Sequence, residues 1–376
     1  MTTPRKRRRF GSVRQQANGR WQARYKGPDG RERQADRTFP TRRQAEVELD
    51  AIEQRMRTGR WFDPKDQATR LSEYAERVIA GRTLAVRTRE LYDDLLRLHI
   101  VPVLGDYPIG KVRPADVERW RAGRLKVTGK ARTRQAYALL RSVFREAVDD
   151  GLVPSNPCRI RGAGVAKAPE RPYVAPKEAA ALIAAMPAHM HVMTTVTLFG
   201  HLRLGEVLGL RRGDFNPDAR TLRVERQLVR LKDGSTQITD TKTGQARTVT
   251  LPPGVAADLA EHLAANLALP SAPMFTHPSG LPLARHHIGL AWRKARAEVG
   301  LPTVHFHDFR HAGLTYAAQA GATLKELQAR AGHRTVAASM VYQHVAESRD
   351  VEIANRLSAF AVPLPKAAGS EANSTR

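Results

Sequence analysis

The chain has 376 residues and carries 62 Lys and Arg against 37 Asp and Glu, a formal charge of +25. That length provides for two or three domains with sizeable cores, and that charge calls for a polyanionic partner. A single cysteine, Cys158, excludes an intrachain disulfide and argues against a thiolate metal cage.

The first residues, Met1 to Phe10, are basic but no apolar stretch follows them, so they do not read as a secretory signal. No apolar run approaches the ~18 residues of a membrane span, and a soluble, reducing compartment is expected. Residues 1–65 hold 18 Lys and Arg against 8 Asp and Glu. Asn18-Gly19 between alternating stretches predicts a hairpin, Gly27-Pro-Asp-Gly30 a second turn, and Arg31 to Phe39 a third strand. Thr41 is placed to cap a helix over 42–57, with Ala45, Leu49, Ile52 and Met56 on its apolar face. Alternation sets Arg20, Gln22 and Arg24 on one face of the second strand and Trp21, Ala23 and Tyr25 on the other. A narrow basic ribbon of this kind fits a DNA groove, which makes Arg20, Arg24, Arg31 and Arg33 the candidate DNA contacts. A merely soluble basic ribbon would show the same alternation.

Trp61 to Gln67 reads as a linker. From Leu71 to about Arg161 the pattern is helical and predicts four helices. Leu71, Tyr74, Ala75, Val78 and Ile79 recur at helical spacing, and Leu91, Leu95, Leu98 and Val101 predict a helix ending before Pro102. Pro114 suits the first turn of a helix over 114–125, and Tyr137, Leu140, Val143, Phe144 and Ala147 form a further stripe. Residues 163–176 read as an interdomain connection. Beyond it, helical patterns occupy 177–186, 190–200 and 203–210. The alternating stretch 221–251, with turns at Lys232-Asp-Gly234 and Lys242-Thr-Gly244, predicts a short sheet. Helices are expected again at 254–266, 284–299, 308–319, 323–331 and 335–344. A last stripe of Val351, Ala354, Leu357 and Phe360 precedes a tail over 364–376 without fixed structure. The division is therefore 1–65, 70–162 and 177–363, a mainly α chain with small β-sheets.

The third segment carries the chemistry. Arg203 opens Arg-Leu-Gly-Glu206, and Lys242 sits in a turn between alternating runs. His307-Asp-Phe-Arg310 sets two basic groups on one helical face, Gly332-His333 precedes a helix, and Tyr342 follows. Guanidinium pairs neutralise a pentavalent phosphorane, a Lys or His moves protons, and a phenolate can form a covalent phosphodiester. Taken singly, each residue has a plainer reading. Arg203 could be a surface partner of Glu206, Lys242 a solvated turn residue, His307 and Arg310 local partners, His333 a helix-start residue and Tyr342 half-buried core. His305-x-His307, His189-x-His191 and His286-His287 lack a carboxylate or cysteine at ligand spacing, so no metal is expected. No phosphate-loop pattern supports nucleotide binding.

In that order and spacing, Arg203 with Gly205-Glu206, Lys242, His307-x-x-Arg310, Gly332-His333 and Tyr342 resemble the signature of the tyrosine recombinases, the phage-integrase family. The resemblance spans all three segments. It implies an arm-site DNA-binding domain over 1–65, a four-helix SAM-like core-binding domain over 70–162 and a mixed α/β catalytic domain over 177–363. Its implied roles are Arg203 and Arg310 on the non-bridging phosphate oxygens, Lys242 as proton donor to the 5′-oxygen, and His307 in proton transfer at the nucleophile. His333 would hydrogen-bond the phosphate, Glu206 would orient its neighbours, and Tyr342 would attack to give a 3′-phosphotyrosine. Lys232 in the adjacent turn is the competitor to Lys242. Neither ATP nor a metal ion is implied. The expected partners are double-stranded DNA attachment sites, a homotetramer on DNA, and an excision factor or DNA-bending protein as candidate accessories. The implied function is integration or excision of a phage or mobile element in the bacterial cytoplasm. The terminal stripe at 351–360 is expected to pack on a neighbouring protomer. A type IB topoisomerase-like relaxing enzyme and a non-cleaving DNA-binding regulator are the rivals.

Overall fold

Residues 9–59, 61–165, 172–265, 268–333, 335 and 340 are described by a computed structural model. The chain forms two compact units, Met1–Ala168 and Pro169–Arg376. It is mainly helical with small antiparallel sheets. Tyr342, the terminal stripe at 351–360 and most of the helix expected over 335–344 lie outside the described residues.

In the first unit, Gly19 takes φ 76° and closes the hairpin of β1 (Ser12–Gln15) and β2 (Trp21–Lys26). β3 (Glu32–Gln34) pairs antiparallel with β2 on its other edge. The third strand is shorter than expected: after Gln34 the chain keeps one bond from the Ala35 N–H to the Ala23 carbonyl at 2.9 Å and then rejoins the sheet at a bridge between Trp21 and Phe39. Thr41 caps α1 (Arg42–Arg57) by accepting the Gln44 N–H at 3.3 Å. Ala45, Leu49 and Ile52 bury against Ala23, Tyr25 and Phe39. The face assigned to Gln22 is not open, since Gln22 is buried and donates to the Ala35 carbonyl at 2.9 Å. Alternation decides which side of the pleat a residue takes, not whether neighbouring chain covers that side.

The stretch read as a linker is folded onto the sheet. Asp63 caps the short helix α2 (Pro64–Gln67) by accepting the Lys65 N–H. The Trp61 ring meets Tyr25 edge-on at 6.3 Å and lies under the Arg33 guanidinium.

The helical part contains α3 (Leu71–Gly81), α4 (Val86–Leu95), α5 (Val101–Leu104) and α6 (Pro114–Asp149), the last broken at Gly129 with φ 75° and ψ 174°. The helix expected to stop before Pro102 continues through it. A π-helical turn over Leu96–Ile100 joins α4 to α5 and widens the ladder where the proline cannot donate. Side chains of α6 reach this turn: Trp120 Nε1 donates to the His99 carbonyl at 2.7 Å, and Arg124 Nη1 to that of Leu98 at 3.4 Å. Tyr74, Ile100, Trp120, Tyr137 and Phe144 are central to this core.

The second unit begins with α7 (Pro176–Ala184), α8 (His191–Phe199) and α9 (Leu204–Gly209). The single sheet expected over 221–251 is two. β4 (Phe215–Asn216), β5 (Thr221–Val224) and β8 (Arg247–Thr250) form one, in the order β4-β5-β8. β6 (Arg226–Arg230) and β7 (Thr236–Asp240) form a separate hairpin. Then come α10 (Pro253–Ala264), α11 (Arg285–Glu298), α12 (Phe306–Gln319) and α13 (Leu324–Ala331). The helix expected to begin at 308 begins at Phe306, because the Asp308 carboxylate accepts the His305 N–H at 2.7 Å and fixes the N-terminus earlier.

Candidate active site

A buried carboxylate organises the basic residues of the second unit. Glu206, on the first turn of α9, has a fully buried side chain. Its Oε2 accepts the backbone N–H of Arg203 at 2.9 Å, and its Oε1 accepts Arg203 Nη1 at 2.7 Å. Arg247 approaches from the first residue of β8, with Nη2 on Oε2 at 2.7 Å and Nη1 on Oε1 at 3.2 Å. Arg310 Nη1 stands 3.8 Å from Oε2. Such a group is tolerable only because charged partners fill its lone pairs.

Arg310, on the second turn of α12, is 1% exposed. It donates to the carbonyls of His201 and Ala331, and its Nη2 stands 3.3 Å from His333 Nε2. Since a guanidinium only donates, His333 Nε2 accepts there and the ring proton resides on Nδ1. Gly332 makes this possible, with its left-handed backbone (φ 61°) ending α13 and turning the chain so that His333 follows at once.

Electrostatics fix the protonation states. Burial by itself would raise the Glu206 carboxyl, but the hydrogen bonds and charge of Arg247, then Arg203, outweigh it and hold it at about 2. Burial, then the charges of Arg310 and Arg203, bring His333 down to about 4. Burial and Arg330 bring His201 down to about 3. Both imidazoles are therefore neutral at pH 7. Their folded values lie below the unfolded 6.5, so the unfolded chain binds protons first. Stability of the second unit is expected to be full above pH 6.5 and to decline as pH falls toward 4, by about 1.4 kcal/mol per pH unit for each proton taken up. Glu206 adds to the loss below 4.5. Urea midpoints measured from pH 7.5 to 4 check this, and a midpoint that stays level would contradict it.

The remaining candidates take other positions. Lys242 is exposed, in the turn between β7 and β8 that Thr241 Oγ1 closes on the Gln245 carbonyl at 2.9 Å. His307 is exposed at the start of α12, and its ring meets His311 edge-on at 4.9 Å. Although three residues apart, His307 and Arg310 differ fully in burial. Lys232 is exposed in the β6–β7 turn. Among the described residues, no group of three His, Cys, Asp or Glu is placed to hold a metal.

In the first unit, Arg20 is exposed and donates from Nε to Thr38 Oγ1 at 2.6 Å. Arg24 is half-buried and Arg31 exposed. Arg33 is committed to the fold, donating to Asp63 at 2.9 Å and Asp29 at 3.0 Å. Arg247, Arg330 and His201 were missed from the sequence. The available signal for Arg247 was a basic residue opening a strand five positions after Lys242.

Residues 172–349 match the phage integrase family, 9–61 the phage integrase N-terminal domain, and 71–123 the phage integrase N-terminal SAM-like domain. The integrase of Mycobacterium phage D29 is 38% identical over 377 residues, spanning 96% of this chain and 99% of that protein. The Tn1549 transposon integrase, solved with transposon right end DNA, superposes with a TM-score of 0.67 at 18% identity, covering 77% of this chain and 100% of that one. A lambda integrase tetramer bound to a Holliday junction gives a TM-score of 0.54 at 18% identity, covering 88% of this chain and 97% of that one. The chain belongs to the phage integrase family. Its activity is that of a tyrosine-type site-specific DNA recombinase.

Proposed function

We propose that the chain cuts and rejoins attachment-site DNA through a 3′-phosphotyrosine at Tyr342, integrating or excising a phage or mobile element. The observation that carries this reading is the convergence of Arg203 and Arg310 on Glu206, with His333 against Arg310, from three separate segments. With Arg247, three guanidinium groups surround one carboxylate, which leaves a surplus of two positive charges. That surplus matches the charge that builds on a pentavalent phosphorane.

Arg203 and Arg310 hold the non-bridging oxygens, and His333 donates to the phosphate from its protonated nitrogen. His307 assists removal of the phenol proton. The Tyr342 oxygen forms a bond to phosphorus as the bond to the 5′-oxygen breaks, and Lys242 protonates that leaving oxygen. The bond energy is retained in the phosphotyrosine, so a 5′-hydroxyl of a second strand can reverse the attack. No ATP enters this cycle.

Separate apolar cores in each segment support three functional parts: an arm-binding segment over 1–65, a core-binding segment over 70–162 and a catalytic segment over 177–363. Arg20, Arg24 and Arg31 contact arm DNA, while Arg33 braces the sheet that presents them. The tetramer on a Holliday junction formed by lambda integrase is the proposed assembly here, with an excision factor or a DNA-bending protein setting direction in the bacterial cytoplasm. Mapping covalent adducts across sheared phage and host DNA tests the reading. Adducts at a discrete pair of sites, each with a 3′-phosphotyrosyl end and a free 5′-hydroxyl, are expected. Binding without adduct anywhere would leave a regulator instead.

A further inference from the structure

His201 is the least expected residue around this pocket. It lies between α8 and α9 with φ 54°, a left-handed backbone that a non-glycine residue rarely adopts. It is 2% exposed. Three segments of the site meet on it. Its carbonyl accepts from Arg310 Nη1 and, at 3.5 Å, from Arg247 Nη2. Its Nδ1 accepts the Arg330 Nε–H at 3.3 Å. Its ring also lies against α12 at Gly313, where an added Cβ would overlap the Leu198 carbonyl oxygen and meet His201 Cδ2 at 2.9 Å.

Arg330 is the second half of the device. It is near the end of α13, and its Nη2 also reaches the carbonyls of Phe199 at 3.3 Å and Thr250 at 3.2 Å. The residues at this helix end serve the pocket directly. The Arg330 carbonyl accepts Arg247 Nε at 2.9 Å, the Ala331 carbonyl accepts Arg310, and His333 meets Arg310. Whatever fixes the end of α13 against the loop before α9 therefore fixes Arg310 and His333 relative to Arg203 and Glu206.

We propose that His201 is a positioning residue for strand cleavage, its imidazole clamping Arg330 so that the end of α13 holds Arg310 and His333 in register with Arg203. This deepens the proposed phosphoryl-transfer reading and rests on it. His201 touches no substrate in this scheme. It acts through its one carbonyl, which accepts from Arg310 and Arg247, and its ring, which accepts from Arg330, and its left-handed backbone is what lets carbonyl and ring reach different partners.

Two substitutions separate the ring from the backbone. His201→Gly keeps the carbonyl and relieves the left-handed backbone but removes the acceptor for Arg330. His201→Asn tolerates the same backbone and offers Oδ1 near the place of Nδ1. The full-length chain is assayed on a nicked duplex carrying the strongest site found by adduct mapping, with DNA affinity measured separately. His201→Gly is expected to slow single-turnover adduct formation roughly tenfold to a hundredfold with affinity within about twofold, and His201→Asn to recover most of the rate. Hydrogen exchange of the amides at 328–333 is read in parallel, faster in the glycine variant and restored by asparagine. A glycine variant that cleaves at the parental rate overturns the proposal, as does unchanged exchange at 328–333. If the parental chain forms no adduct at any site, the phosphotyrosine reading fails and the positioning role for cleavage fails with it. The exchange result then shows separately whether the clamp exists as a structural contact.

Discussion

Tyr342→Phe is expected to abolish covalent DNA adduct, by more than roughly a thousandfold, while binding keeps its affinity and its steep salt dependence. The substitution removes a single oxygen and leaves every cationic group in place, so phosphate contacts persist without a nucleophile. The competing phenol on the catalytic side is Tyr316, on the same helix as Arg310. Its hydroxyl donates to the Val174 carbonyl at 2.6 Å, and burial pushes it up to about 12, so it is a packed structural group with a poorly ionised oxygen. Tyr316→Phe should accordingly retain cleavage. The check is a suicide duplex nicked beside the cleavage position, read as protein–DNA adduct on denaturing gels. Persistent adduct in the Tyr342 variant, lost in the Tyr316 variant, would move the nucleophile to α12 and undo the assigned roles.

The second large effect is on stability. Glu206→Gln keeps the shape of the side chain and removes only its charge, leaving Arg203, Arg247 and Arg310 facing one another in a buried pocket. Breaking a buried pair by removing one partner typically costs about 3–5 kcal/mol, a large part of the ~5–15 kcal/mol that holds a domain folded. A marked fall in the urea midpoint is expected, reporting unfolding of the second unit. Adding Arg247→Gln to Glu206→Gln should recover part of the loss, since it withdraws one of the repelling charges. A single-variant loss below about 1 kcal/mol, with no coupling in the double variant, would mean that water already screens these groups. The same pocket makes the protein sensitive to acid, because Glu206, His201 and His333 all hold fewer protons folded than unfolded.

The local order of this chain can be read before any fold is known. Asn18-Gly19 specifies a hairpin, Thr41 with Ala45, Leu49 and Ile52 specifies a capped amphipathic helix, and Pro114 marks a helix start, because these signals act within a few residues. The order of Arg203, Lys242, His307, Arg310, His333 and Tyr342 likewise carries the family resemblance by itself. Errors arise where a distant segment intervenes. Pro102 stays inside a helix because the preceding turn widens and α6 supplies donors for its carbonyls. Trp61 leaves its expected linker because Tyr25 and Arg33 offer it a surface.

The sequence by itself determined which stretches coil or extend and which residue types are available for phosphate chemistry. Only the tertiary structure decided that Glu206 would be shared among three arginines, that Arg33 would be consumed by Asp29 and Asp63, and that His201 would join α9, α12 and α13. The physical reason is range. Periodicity and capping are set by neighbours in the chain, whereas a guanidinium finds its acceptor across more than a hundred residues, as Arg310 does at the His201 carbonyl and Arg330 at the His201 ring nitrogen.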